Sequence, residues 1–355
     1  MSRVLPGSVS RWLGRFQRLA ARLVLVGAVC TCAKPAIAAA ERFPATEGLK
    51  LVVASGTNYV DATALLQRFG LERTWLIANQ RARYTNAWTK IELEADKREI
   101  SFNGLRVFLG DGVTLHRGGL WISRLDAEKL IAPLLRPSAF ASTARVPRRI
   151  AIDAGHGGTD SGTSNAKLRL EEKVFALDVA KRVATLLERE GFEVLLTRHD
   201  DRFVPLPERA AIANRAQAYL FVSIHFNSAP GEVRGSETYI LTPQHQRSTS
   251  ESKRMASDDE RHPGNAADVW NAVLGVQLHR HVLEGLGSSD RGLKRARFMV
   301  LKQTECPAVL VEAAYLSHDD EAKKVATPEY RALIAEAVAK GVRAYAVQVT
   351  AALRD

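Results

Sequence analysis

Two imidazoles and two carboxylates fall at places in this chain where a side chain can meet a ligand. The apolar stretch Ile150-Ala151-Ile152 runs into Asp153-Ala154-Gly155-His156-Gly157-Gly158, so His156 follows a short buried strand on a glycine-flanked turn that lets backbone come close to a bound group. A second strand, Tyr219 to Ile224, leads into His225, with Asn227 two residues on. Glu172 opens a long helix in which Val174, Leu177, Ala180, Val183 and Leu187 recur at helical spacing. A further strand, Ala308 to Val311, delivers Glu312 at its end. Ligands of open α/β sheets gather at the carboxyl ends of strands. Two imidazoles, one carboxylate and an open position are the composition of a catalytic zinc site, in which the metal lowers the pKa of bound water to about 7 and polarises a carbonyl. A second carboxylate off the metal then serves as general base. Spacing alone leaves the matter open. His156, Glu172 and His225 are far apart and form no short motif of the His-Glu-x-x-His kind, and a strand-end histidine is more often a satisfied core or surface residue.

The elements that must position these groups begin after residue 148, where strands alternate with helices. Phe192 to Leu196 and Tyr219 to Ile224 are strands; Pro207 to Gln217, Asp268 to Leu286 and Glu329 onward are helices. Such alternation predicts an α/β layered domain with a central mixed sheet flanked by helices, over 149–348. Residues 45–135 instead carry short alternating stretches with an Asn103-Gly104 hairpin signal and two short helices, Asp61 to Phe69 and Asp126 to Leu135, which predicts a small α+β domain. Trp75, Trp88 and Trp121 fall in it and read as core and hairpin packing. Residues 136–148 mix Pro, Ser, Thr and Ala without periodicity, as a linker would. Residues 243–265 are polar and charged with hardly an apolar side chain beyond Met255, and predict a mobile substrate-side loop.

The 355 residues have 46% hydrophobic and 25% charged side chains, a globular composition that excludes disorder and coiled coil. A formal charge of +11 suggests nucleic acid at first, yet six basic residues (Arg3, Arg11, Arg15, Arg18, Arg22, Lys34) lie in the first 38, where no acid occurs. The remainder holds 44 basic against 39 acidic residues, too weak an excess to call for nucleic acid. That front segment, with arginines, the apolar run Leu23 to Val29 and Ala36-Ile37-Ala38 before Ala39, has the layout of an export signal over 1–38. The run is well short of the ~18–20 apolar residues that a span needs, so no stable membrane anchor is expected. Three cysteines without a Cys-x-x-Cys pair exclude a thiolate zinc ribbon and a disulfide framework.

Several segments together carry a family resemblance. They are Ile152-Asp153-Ala154-Gly155-His156-Gly157-Gly158-x-Asp160, Glu172-Lys173, Leu196-Thr197-Arg198-x-x-Asp201, Leu206-x-x-Arg209, Ser223-Ile224-His225-Phe226-Asn227-Ser228, Gly235-Ser236-Glu237-Thr238-Tyr239, Arg291-Gly292 and Pro307 to Glu312. In that order, over 149–348, they resemble the zinc-dependent N-acetylmuramoyl-L-alanine amidases of the type-3 amidase family. The resemblance implies hydrolysis of the peptidoglycan amide between N-acetylmuramic acid and L-alanine. It also implies one Zn2+ per chain on His156, Glu172 and His225, with Glu312 as catalytic general base and Asn227 and Arg291 as substrate-binding groups. Residues 45–135 resemble the copper amine oxidase N-terminal-like stalk domain, on Tyr59-Val60-Asp61, Leu65-Leu66-x-x-Phe69-Gly70 and Phe102-Asn103-Gly104. That implies a scaffold without copper.

The chain departs from the amidase pattern at Ala314 and His318, which bears on local substrate contacts and leaves the chemistry intact; His318 reads as a helix-start residue, while His279 and His281 lie on a helix that needs a solvated face. Peptidoglycan is the expected partner, with an activator protein left open, and the expected location is the periplasm or cell envelope. A zinc-dependent wall peptidase or deacetylase, or a wall-binding regulator with a dead site, are the competing readings. The regulator would have lost a ligand or Glu312, and all four are present.

Overall fold

The computed structural model describes residues 45–354, so the export segment expected over 1–38 lies outside the described residues. Among them no helix is long and apolar enough to cross a membrane. Eleven described strands form one sheet. In chain order they are β1 (Glu72–Ile77), β2 (Arg81–Thr85), β3 (Lys90–Glu94), β4 (Glu99–Phe102), β5 (Leu105–Phe108), β6 (Arg149–Ala154), β7 (Glu193–Leu196), β8 (Leu220–Asn227), β9 (Ser236–Leu241), β10 (Asp290–Ala296) and β11 (Ala308–Tyr315). Across the sheet the order is β7-β6-β8-β11-β9-β10-β5-β4-β3-β2-β1. Strands β7, β6, β8 and β11 run parallel, β9 is antiparallel to β11, and β10 lies parallel to both β9 and β5. The expected mixed α/β sheet is therefore present.

Side chains alternate across each strand, and the two faces are covered differently. Ile150, Ile152, Val222, Ile224, Val309 and Val311 face one large core with the apolar stripes of three helices, α1 (Glu172–Arg189), α3 (Asp268–Leu286) and α6 (Pro328–Ala352). The opposite phase, Ala151, Phe221, Leu241, Ala308 and Leu310, meets Ala213 of α2 (Leu206–Arg215) and Val300 and Leu301 of α4 (Met299–Gln303). Further along β6, β8 and β11 this second phase continues as Asp153, Ser223, His225 and Glu312. Polar chemistry thus begins on the face where the α2/α4 layer ends.

Local signals fix several ends. Asp61 accepts from Thr63 and Ala64 amides and caps the helix Ala62–Gln67, and Asn103 and Gly104 both take positive φ in the β4–β5 hairpin, as the turn type requires. Other expectations are corrected. Glu312 stands in the middle of β11 rather than at its end, because the strand runs on to Tyr315 between two partners. Residues 137–143 of the expected linker form a 3-10 helix, and Trp270 Nε1 donates to Thr143 Oγ1 at 3.0 Å. Since β5 pairs with β10, strands β1 to β5 of residues 45–135 share one sheet with β6 to β11, while Leu51–Ala54, Thr57–Asp61, Thr114–His116 and Gly119–Ser123 form a separate four-stranded sheet.

The polar stretch 243–265 is folded down, not loose. It lacks apolar side chains but is held by hydrogen bonds: Arg98 donates to the carbonyls of Arg247, Ser248, Thr249 and Glu251, and Gln246 is buried. Beside it the buried Arg295 donates to both Asp126 (2.7 Å) and Gln246. Trp121 is buried as expected, whereas Trp88 is 88% exposed at the β2–β3 connection. His279 is buried rather than solvated, bonded to Thr238 Oγ1 and Asp290 Oδ1.

Asp126 and Arg295 are both shut away from solvent, so removing one charge strands the other. Asp126→Asn is expected to cost about 3–5 kcal/mol, and pairing it with Arg295→Met should restore much of the loss. Denaturant melts of the three variants check this.

Candidate active site

His156 lies two residues past β6 with φ +58°, a conformation that non-glycine residues rarely adopt. Two buried arginines hold it there. Arg209 Nη1 donates to the Ala154 carbonyl (2.6 Å) and Nη2 to that of His156 (2.7 Å), while Arg198 donates from Nε to Ala154 O (3.0 Å) and from Nη2 to Gly155 O (2.8 Å) and Lys173 O (2.7 Å). Asp153 anchors the clamp, accepting from Arg209 Nη1 (2.9 Å), Thr197 Oγ1 (2.6 Å) and Ser223 Oγ (2.7 Å). Burial pushes the Asp153 carboxyl up, but the Arg209 charge and the two hydroxyls outweigh it and hold the group below its usual range.

Against this turn stand Glu172, first residue of α1, and His225 of β8. Glu172 Oε1 is 3.2 Å from His156 Nε2 and 2.9 Å from His225 Nδ1, and the two rings meet edge to face with centroids 4.9 Å apart. One ligand atom from each residue lies within 4.8 Å of the others. Glu172 is fixed from outside by the amides of Phe226 (2.9 Å) and Thr163 (2.8 Å), and Asp160 Oδ2 meets His156 Nδ1 at 2.8 Å, leaving Nε2 for the cluster. Burial raises the Glu172 carboxyl, yet hydrogen bonds to His156 and His225 drive it far below its normal value. The neighbouring Glu171 is exposed and turned to Lys173, outside the cluster.

Glycines make the space. A Cβ on Gly155 would come within 2.4 Å of the His225 ring, and one on Gly162 within 2.6 Å of both Glu172 Oε2 and His156 Cδ2. Two imidazoles and a carboxylate with an outer carboxylate on one imidazole, in a cradle that a methyl group would fill, suit a zinc ion.

Glu312 pairs across β11 with His225 on one side and Glu237 on the other. Among the described residues its Oε2 is the only carboxylate oxygen closed to solvent that has neither a hydrogen bond nor an ion pair. Neither Arg209 nor Arg291 pairs with it: Arg209 serves Asp153 and Arg291 serves Glu237. Burial first, then the charges of Glu172 and Glu237, push the Glu312 carboxyl well above its usual range. Asn227 Nδ2 donates to Glu237 Oε2 (3.1 Å) and Arg291 Nε to Glu237 Oε1 (2.9 Å), so both expected substrate groups converge on Glu237. Its part could not be read from sequence, since it sits inside an ordinary alternating strand. His318 caps α5 (Asp319–Ala326), as a helix-start residue should.

Residues 150–344 match the family model described as N-acetylmuramoyl-L-alanine amidase. The chain belongs to that family, which makes it an amidase. It is 34% identical over 215 residues to the uncharacterized protein YqiI of Bacillus subtilis, covering 61% of this chain and 93% of that one. It is 30% identical over 249 residues to the N-acetylmuramoyl-L-alanine amidase AmiC of Escherichia coli, covering 62% and 58%. With LytC of Bacillus subtilis, also an N-acetylmuramoyl-L-alanine amidase, it shares 36% identity over 201 residues, covering 56% of this chain and 36% of LytC. Among solved structures, AmiC2 of Nostoc punctiforme is similar at a TM-score of 0.47 and 33% identity, over 56% of this chain and 97% of that one.

The clamp has a pH signature. A native carboxyl held below its unfolded value of about 3.9 adds stability above that pH and loses it as pH falls through the native value. Wild type is therefore expected to outlast Asp153→Asn by most above about pH 5, with the gap closing below about pH 4. Unfolding free energies measured from pH 3 to 7 check it.

Proposed function

We propose that this chain is an exported enzyme of the periplasm or cell envelope that hydrolyses the peptidoglycan amide between N-acetylmuramic acid and L-alanine. His156, Glu172 and His225 hold one zinc ion and Glu312 is the general base. The observation that carries the reading is the unpartnered Glu312 Oε2 on the strand beside His225. Every other buried carboxylate nearby already has its donors.

Zinc, when bound, supplies Lewis-acid polarisation of the amide carbonyl and makes water easier to deprotonate. The rest is done by the chain. Glu312 takes a proton from a water whose oxygen attacks the lactyl carbonyl carbon; as the C–N bond breaks, the same carboxyl gives the proton to the departing alanine nitrogen. Burial and two carboxylate neighbours raise this carboxyl above its usual range, which strengthens it as a proton acceptor. Asp160 keeps the His156 ring turned, and the two amides on Glu172 keep its carboxylate from swinging toward solvent.

Incubated with zinc on purified peptidoglycan, the protein should release free L-alanine amino termini without new reducing ends; new reducing ends alone would mark a glycan-cleaving enzyme. Glu312→Gln keeps size and reach but cannot take the proton, so turnover should fall ~10²–10⁴-fold with zinc content and melting unchanged. His225→Ala should lose most of its zinc by elemental analysis, and a full equivalent in that variant would overturn the ligand set.

A further inference from the structure

Trp121 and Trp270 are buried and Trp75 packs against the core, but Trp88 is 88% exposed. A single exposed apolar side chain needs no account by itself. This one is held out by a built turn. Asn86 Oδ1 accepts from the amides of Trp88 (2.9 Å) and Thr89 (2.8 Å), the Asn86 amide donates to the Thr89 carbonyl (3.0 Å), and Asn86 Nδ2 reaches back to the Phe69 carbonyl (3.2 Å). The next turn is tied in as well, since Lys90 N donates to Asn103 Oδ1 and Asn103 N to Lys90 O, both at 2.7 Å. A side-chain turn of this kind fixes the backbone locally, so Trp88 has only its two χ angles to give up when it meets a partner. The approach is open: a Cβ on Gly70 or Gly104, in the two loops beside the tip, would meet nothing within 4 Å.

Topology puts this tip on the same edge of the sheet as the candidate active site. Strand β9 is antiparallel to β11, β10 and β5 run with β9, and β4, β3 and β2 then alternate, so β2 and β4 run the same way as β11. The β2–β3 connection therefore stands at the edge to which β6, β8 and β11 send their carboxyl ends, where His156 and His225 lie. Between β11 and β3 come β9, β10, β5 and β4, which sets the two about 24 Å apart at ~4.8 Å per strand. A small ligand does not reach both places. A polymer does.

The chemistry of the indole selects among the parts of such a polymer. Its ring is a broad apolar face with one N–H at the rim. A pyranose ring matches that, with a face of C–H groups edged by hydroxyls, whereas a stem peptide offers amides, carboxylates and small methyl groups. Sugar rings recur along the glycan in both directions from any cleaved unit, so the match does not depend on how that unit is turned at the zinc ligands. The surroundings of the tip, Thr85, Asn86, Thr89 and Lys90, are polar, and they lack the apolar face with which a protein enters a membrane surface.

Resting on the amidase reading, we propose that Trp88 is a docking residue for the sugar rings of the peptidoglycan glycan chain, a second point of attachment on the active-site edge of the sheet. The test compares intact peptidoglycan with the soluble substrate N-acetylmuramoyl-L-alanyl-γ-D-glutamyl-L-lysine, which is too short to reach both places. Trp88→Ala should raise KM on intact peptidoglycan about tenfold with kcat unchanged, and leave cleavage of the soluble substrate as in wild type. Trp88→Tyr keeps a ring and should recover most of the loss. Added N-acetylglucosamine tetrasaccharide should change the tryptophan fluorescence of wild type and not that of Trp88→Ala. An unchanged KM on intact peptidoglycan, an equal loss on both substrates, or a fluorescence response that survives in Trp88→Ala overturns the docking role. Trp88-dependent binding to vesicles of phosphatidylethanolamine and phosphatidylglycerol, without any response to the tetrasaccharide, gives the ring to a membrane and overturns it too. Absence of free L-alanine termini from peptidoglycan overturns the amidase reading instead; the fluorescence titration needs no turnover and then decides the role of Trp88 alone.

Discussion

The Asp153–Arg209 pair, closed off at the end of β6, is the contact on which the active-site face depends. A turn with three successive residues at positive φ, His156 to Gly158, has only the Gly157–Asp160 bridge as regular backbone pairing and needs a further support. Arg209 and Arg198 supply one by donating to the carbonyls of residues 154 to 156, and the Asp153 carboxylate compensates the Arg209 charge inside the sheet. With both arginines sheathed by backbone acceptors, burial is tolerated and the guanidinium planes act as struts. The strand-helix motifs around Arg198 and Arg209 thus serve the histidine turn from behind rather than the reaction itself.

Three carboxylates on neighbouring elements then divide the electrostatic work. Glu172 is flanked by imidazoles and backbone amides and is held strongly ionised; Glu237 is ringed by cations and hydroxyls and is held ionised as well. Glu312 lies between them with no donor for Oε2, so burial and its two charged neighbours all push the same way. Environments this different push three carboxyls in different directions without any difference in residue type.

Residues 45–135 contribute more than an appended module would. Their strand β5 continues the amidase sheet past β10, the Arg295–Asp126 pair ties β10 to them, and the Arg98 hydrogen bonds tie the carbonyls of residues 247 to 251. Sheet continuity passes side-chain placement from one part to the other, so Phe108 bears on the strand that carries Arg291 and Lys294.

Local chemistry was legible from the residues. The Asp61 cap, the Asn103-Gly104 turn and the helix from Asp268 to Leu286 depend on contacts within a few positions, and the sequence pattern states them directly. His156, Glu172, His225 and Glu312 could be named because their order with the surrounding motifs matches a family. What lay beyond reach depends on strand pairing. Whether Glu312 ends a strand or stands inside one, whether 136–148 is loose or packed, and whether a run as polar as 243–265 is folded were decided by partners about 75 to 150 residues away, as with Glu237 for Glu312 or Arg98 for Thr249. A polar segment can be built into a protein when distant donors meet its carbonyls, and no property of the segment itself records those donors. Sequence determined which groups could do the chemistry; the fold decided which carboxylate would be left without a partner.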